Sequence, residues 1–362
     1  MIVSLRLQQF RSYKEASFEF EPGVTIIVGP NASGKTNLLE AILVVARGHS
    51  YRADDEDLIM FDRPWTRLDA VLAPDKSGKK STGLDEQRTL KLDRTNGRLQ
   101  KSYIIDERPL KLLPHNHQLP VVLFEPNDLL LLHGGPELRR NYLDDLLNQL
   151  QPGFATMRQH YRRALSQRNA LLKQGYARAR GQVFAWNLRL SELGGHIAEA
   201  RMQLLDDIGT DVTKLYKELA HTRVKVTLGY HSSLPADRYA SALLHKLENS
   251  LEVDCQRGFT AYGPHRDDLT VGFDDTPAGQ TASRGETRTV LLALKITELK
   301  LLEVKRRQRP LLLLDDVFSE LDGARRQALT DHLQQYQTFI TTTDADVVVQ
   351  HFMNRCNIIP LG

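Results

Sequence analysis

The sequence predicts an α/β fold, a lobe built on buried parallel strands that is interrupted in the chain by an α-helical second lobe. Three observations predict it. The apolar run Val24–Val28 is followed at once by the glycine-bearing loop GPNASGKT and then by NLLEAILVVAR, whose Leu38, Leu39, Ile42 and Val45 recur at helical spacing. A second wholly apolar run, LLLLDD at 311–316, stands near the other end of the chain. Between them the apolar positions step by three and four over long stretches, as helices require.

The elements follow in order. The opening MIVSLRLQQFRSYKEASFEF carries Arg6, Arg11 and Lys14 where a secretory peptide would need an apolar core, so it reads as strands of the fold. TRLDAVLA, RTLKLDR and LQKSYIID, between residues 66 and 106, have strand composition. Asn96-Gly97 sits where a tight hairpin turn would join the last two, and a small antiparallel sheet is expected beside the first helix. LPVVLF is a buried strand. Pro126 and Gly134-Gly135-Pro136 break the chain before a helix from about Glu137. Phe154, Met157, Tyr161, Leu165 and Leu172 form one apolar stripe, and Trp186, Leu190, Leu193, Ile197, Ala200, Leu204 and Ile208 form another, with a turn between Gly175 and Gly181. Together they predict a short antiparallel helical arm. TRVKVTLGY and LTVGF return to strand, and a long helix over Glu286 to about Lys305 leads into LLLLDD. The expected division is 1–136 for the first part of the α/β lobe, 137–250 for the helical lobe and 251–362 for the remainder.

Composition bounds the class. Hydrophobic residues make up 41% and charged residues 26%, ordinary for a globular chain, and no run approaches the roughly 18 apolar residues of a membrane helix. A soluble protein without a membrane partner is expected. Cys255 and Cys356 make at most one bridge and match no metal-ligand spacing, which fits a reducing cytoplasm. The overall charge of +3 says little, but residues 151–201 hold nine Lys or Arg against two Glu, a local +7. Arg158, Arg162, Arg163, Arg168 and Lys173 in that segment are the candidate contacts to DNA phosphates, weighed against a merely solvated helix face.

Gly29-Pro30-Asn31-Ala32-Ser33-Gly34-Lys35-Thr36 is a full phosphate-binding loop in the right context, strand before and helix after. Its glycines let backbone amides converge on the phosphates of ATP or GTP, Lys35 reaches the β and γ oxygens, and Thr36 offers its hydroxyl to Mg2+. At the end of LLLLDD, Asp315 would serve the metal and Asp316 the attacking water. Asp316 is one methylene shorter than the glutamate that many such ATPases carry there, which predicts slow hydrolysis. Ser283-Arg284-Gly285-Glu286, just before the long helix, reads either as a helix N-cap or as a nucleotide-contacting signature in which Ser283, Gly285 and Glu286 meet a γ-phosphate. SELD at 319–322 follows the acidic pair.

These strings resemble the RecF family of SMC-related ATPases over nearly the whole chain: the opening through GPNASGKTNLLEAI, FEPNDLLLLHGGPELRRNYLD, YGPHRDDLTVGF, SRGETRTVLLALKITEL and LLLLDDVFSELD. GPHRDDL discriminates best, since ABC ATPases in general lack it. The resemblance implies a Rad50/SMC-like ABC-type P-loop ATPase head with a helical second lobe. It implies an ATP-dependent homodimer acting across Ser283, a slow DNA-stimulated ATPase, and a role in DNA repair, replication and the SOS response. Recognition of double-stranded, gapped or junction DNA, with RecR and RecO as partners and RecA loading as the outcome, is implied in the same way. Two departures stand out. After Phe124 the chain offers Glu125, Asn127 and Asp128 in place of a magnesium-sensing glutamine, and near the expected histidine switch it has Thr342, Thr343 or Asp344. A transporter subunit is disfavoured by the long interval between Thr36 and Ser283, and an ATPase partnered with a nuclease is the other rival.

Overall fold

The computed structural model of the chain describes residues 1–74, 85–274, 276–318, 320–352 and 356–362, so Ser319 of the SELD string lies outside the described residues. These residues form two compact units, one of Met1–Asp128 with Leu294–Gly362 and the other of Leu129–Ala293.

In the first unit, alternation builds an antiparallel sheet in the order Tyr13–Glu19, Ile2–Phe10, Trp65–Leu72, Glu86–Asp93, Gln100–Ile105 and Arg108–Leu110. It is larger than the small sheet expected from sequence, because the N-terminal strands join it: Leu5 pairs with Phe18 on one side and Ala70 on the other. Asn96 and Gly97 lie within a longer connection, residues 94–99, where Gly97 N–H closes a turn on Arg94 O. The second sheet is parallel, in the order Cys356–Pro360, Val24–Val28, Thr338–Thr342, Leu311–Asp315 and Val121–Phe124. All five residues of Leu311–Asp315 are buried, as expected of a strand covered on both faces. Helix Lys35–Arg47 is buried at nearly every position, and its Leu38, Ile42 and Val45 share one core cluster with Leu5 and Leu68 of the antiparallel sheet and Ile27, Leu313 and Phe339 of the parallel one. That shared core fixes the loop before the helix against the strand ends.

In the second unit the two apolar stripes become helices Phe154–Leu172 and Phe184–Ala220. They run antiparallel: Arg168 meets Asn187, and Tyr161 lies near Gly194. Between them stands a one-turn helix, Tyr176–Ala179, where a plain turn was expected. Its Ala179 packs with Leu172, Val183 and Leu251. Helix Pro136–Leu150 begins with proline at its first position, where no intrahelical N–H bond is lost. The unit extends past the expected boundary at residue 250 because strand Asp268–Phe273 pairs antiparallel with Val226–His231, drawing GPHRDDL into the same body. Among the described residues no helix is long and apolar enough to cross a membrane.

Candidate nucleotide site

Backbone geometry comes first. Strand Val24–Val28 delivers Gly29 beside its neighbour, where Gly29 N–H reaches Thr342 O at 3.4 Å. A Cβ at Gly29 would collide with the carbonyl oxygen of Leu361. Gly34 takes the left-handed conformation, φ +99°, and a Cβ there would lie 2.9 Å from the Tyr13 hydroxyl, which itself donates to Gly34 O. No side chain caps the helix that starts at Lys35, so its first amides are left to a ligand.

Lys35 spans this loop, donating from Nζ to Gly29 O at 2.7 Å and to Pro30 O at 2.9 Å. Ser33 Oγ is buried with no hydrogen-bond partner. A loop of uncapped amides, a folded-back lysine and an orphaned hydroxyl matches what a phosphate chain would satisfy.

The parallel sheet brings the second half of the site to the same place. Thr36 Oγ1 donates to Asp315 Oδ1 at 3.0 Å and Thr341 Oγ1 donates to the same oxygen at 2.8 Å. The Tyr51 hydroxyl donates to Oδ2 at 3.3 Å, and burial together with Asp315 raises the Tyr51 pKa. Asp316 is exposed and left-handed at φ +56°, with its N–H on Thr341 Oγ1 at 2.9 Å. Hard oxygen donors from one carboxylate and one hydroxyl suit Mg2+, which completes its shell with water and phosphate oxygens. Among the described residues no cluster of three or more His, Cys, Asp or Glu could hold a metal without such help.

Around this centre lie residues that the sequence left without a settled role. Glu40, fully buried in the helix, accepts from two guanidinium nitrogens of Arg11, Nε and Nη2, at 2.9 Å each, from Arg52 at 2.9 Å and from the Ser50 hydroxyl at 2.6 Å. Burial opposes its charge, but these donors hold its pKa below the usual value. Arg11 and Arg52 are thus gathered by one carboxylate, a contact no local pattern announces. Glu125 follows the strand next to Leu311–Asp315, and burial, with Asp128 adding repulsion, pushes its pKa up to about 7. Buried Lys295 bridges Leu123 O at 2.5 Å and Asp128 at 3.1 Å.

In the helical unit, Ser283 and Glu286 form a reciprocal capping box: Ser283 N–H donates to Glu286 Oε2 at 2.8 Å, and Glu286 N–H to Ser283 Oγ at 3.2 Å. Ser283 remains exposed and Gly285 partly so. Of the candidate DNA contacts, Arg162, Arg163 and Lys173 are exposed, while Arg158 is mostly buried in an ion pair with Asp144 at 2.9 Å. Arg168 is a correction. It has no exposed surface and binds Asp254 and Thr260 at 2.8 Å, Asn187 at 2.7 Å and Leu247 O at 3.0 Å, so it holds the helices together and cannot reach a phosphate.

Comparison with known proteins agrees with this architecture. The model of the RecF/RecN/SMC N terminal domain matches residues 1–358. The DNA replication and repair protein RecF of Acaryochloris marina is 36% identical over 94% of this chain and 91% of its own length. That of Lactobacillus acidophilus is 35% identical over 94% and 92%. A solved structure of the recombination mediator RecF with ATP, in the RecFOR pathway, superposes with a TM-score of 0.83 at 29% identity, over 95% of this chain and 92% of that one. An SMC head bound to the C-terminal winged-helix domain of ScpA, at TM-score 0.54 and 18% identity over 97% and 91%, shares the fold. With its loop, acidic strand end and GPHRDDL turn carried on that fold, the chain belongs to the RecF family of SMC-like ATPases.

Proposed function

We propose that the chain is an ATP-dependent DNA-binding protein of recombinational repair and replication-fork maintenance, in which nucleotide closes a homodimer around gapped or junction DNA. The observation that carries the reading is the 3.0 Å bond between Thr36 and Asp315, which joins the phosphate loop to the acidic strand end. Residues 29–36 bind the phosphates of ATP. Lys35 exchanges its neutral carbonyl partners for phosphate oxygens, and Thr36 and Asp315 hold Mg2+. The bound ion supplies neutralisation of the charge that develops on the phosphates. Asp316, exposed beyond the strand, orients the attacking water, and its short reach keeps DNA-stimulated hydrolysis slow. Ser283, Gly285 and Glu286 of a second copy complete the nucleotide pocket, so ATP favours the closed dimer by its differential affinity for that state. Arg162, Arg163 and Lys173 contact backbone phosphates, which position DNA without reading its sequence. RecR and RecO are the partners through which the closed dimer promotes RecA loading.

Fluorescence anisotropy of a gapped duplex tests this, with and without ATP, on the wild type, Lys35→Arg and Ser283→Arg. ATP should tighten wild-type binding by about tenfold or more, a coupling of ordinary size, and both variants should lose the gain. Equal binding throughout would assign the output of the ATPase elsewhere.

A further inference from the structure

The GPHRDDL turn borders a pocket of about 280 Å3 within the helical unit, to which no role has been assigned above. Four arginines line it, Arg140, Arg158, Arg162 and Arg201, against two acids, Glu137 and Asp144. Asp144 is already neutralised, by Arg201 through two bonds of 2.9 Å and by Arg158 at 2.9 Å. Arg201 is locked further by Pro264 O at 2.6 Å. That leaves two guanidiniums without a carboxylate. Arg162 is exposed and forms no ion pair among the described residues, and Arg140 donates only to the neutral Asp267 O at 2.9 Å. Arg158 and Arg162 stand one turn apart on a single helix, where like charges repel. Burial, together with that repulsion, lowers the Arg158 pKa despite Asp144.

The back wall is rigid and uncharged. His265 Nε2 faces Thr260 O at 3.1 Å, so it carries the proton there, and Nδ1 accepts from the Tyr161 hydroxyl at 2.7 Å. Burial pushes the His265 pKa down to about 4, leaving the ring neutral at ordinary pH. Gly263 makes the approach possible: at φ +128°, a Cβ would sit 2.6 Å from the Tyr161 hydroxyl. At Gly194 a Cβ would crowd Pro264 at 3.2 Å. The space is smaller than the roughly 300–1,000 Å3 of pockets that enclose a drug-sized molecule. It has room for a phosphate group.

We propose that this pocket binds a phosphate group, with Arg140 and Arg162 as its donors and Arg158 and Arg201, both tied to Asp144, as part of its wall. The group arrives either on a DNA backbone, in which case the inference deepens the proposed function and rests on it, or as a free phosphate. Calorimetric titration of inorganic phosphate at constant ionic strength distinguishes these. A Lys35→Ala parent, in which the nucleotide loop is crippled, is compared with the same protein carrying Arg162→Gln or Arg140→Gln. Each loss of a charge-assisted contact should weaken phosphate binding by about tenfold, with circular dichroism showing an intact fold and Arg140→Lys recovering part of the loss. Duplex anisotropy on Arg162→Gln in an otherwise wild-type chain forms the second arm. A parallel drop assigns the pocket to DNA, and loss of phosphate binding alone assigns it to a free phosphate. Phosphate binding in the Lys35→Ala parent, together with a wild-type chain that binds no duplex even with ATP, would sink the proposed function and leave the pocket standing. Unchanged phosphate affinity in both Gln variants would overturn the site.

Discussion

Lys35 and Arg168 are both buried cations, one 8% exposed and the other 0%, and they are held in opposite ways. Lys35 leans on two neutral carbonyls of its own loop, partners that an incoming anion can replace. Arg168 is fixed by the Asp254 carboxylate, a threonine hydroxyl, an asparagine oxygen and a carbonyl from four separate parts of its unit. The lesson is that position within a basic stretch does not identify a ligand contact. The partner does: a cation matched to a buried carboxylate is structural, and one matched to neutral oxygens or to nothing is available.

The largest expected effect breaks the structural half of that contrast. Arg168→Ala leaves Asp254 buried without its counter-charge and should cost about 3–5 kcal/mol in urea unfolding. A loss below about 1 kcal/mol would show that Arg168 is dispensable to the fold. Glu125 sharpens the other half, because its environment disfavours charge. Its folded pKa of about 7 lies above the ordinary 4.5, so between those values the folded state keeps a proton that the unfolded chain has released. Stability should therefore fall as pH rises from about 5 to 7, by about 1–2 kcal/mol once partial exposure is allowed for. Glu125→Gln should flatten that slope, and identical pH profiles for the two proteins would refute the assignment. The smallest effect concerns Ser283, which has a local and a proposed remote role. Ser283→Ala should lose about 1 kcal/mol of stability with the cap, and Ser283→Asn almost none. Both should lose ATP-dependent DNA binding if the hydroxyl acts across a dimer, whereas retention in Ser283→Asn would reduce Ser283 to a cap.

Legibility followed sequence distance. The strand, loop and helix around Lys35 were readable because their residues are contiguous and their spacing carries the period. The capping role of Ser283 was readable for the same reason, with Glu286 three residues on. Of the hydroxyls that meet Asp315, that of Thr36 was readable, since both residues were assigned to one metal, whereas nothing local in their segments marks Tyr51 and Thr341 as partners. Arg168 was misjudged because its carboxylate lies 86 residues away, invisible to any count of charges along the helix. Glu40 likewise reads as an ordinary helix residue until Arg11 and Arg52 are brought to it from outside the helix. What composition and periodicity encode is which face is buried, and what they omit is which polar groups share that interior.

The contact between Gly29 and Leu361 bears on the order in which the chain acquires its site. The phosphate loop is the most local motif in the sequence, yet its floor is the carbonyl of Leu361, tied in by Leu361 N–H on Val28 O at 2.7 Å. Strand Cys356–Pro360 must therefore pair with Val24–Val28, closing a loop of more than 300 residues, before that floor exists. During synthesis, the loop that emerges first from the ribosome would be among the last parts of the molecule to be finished.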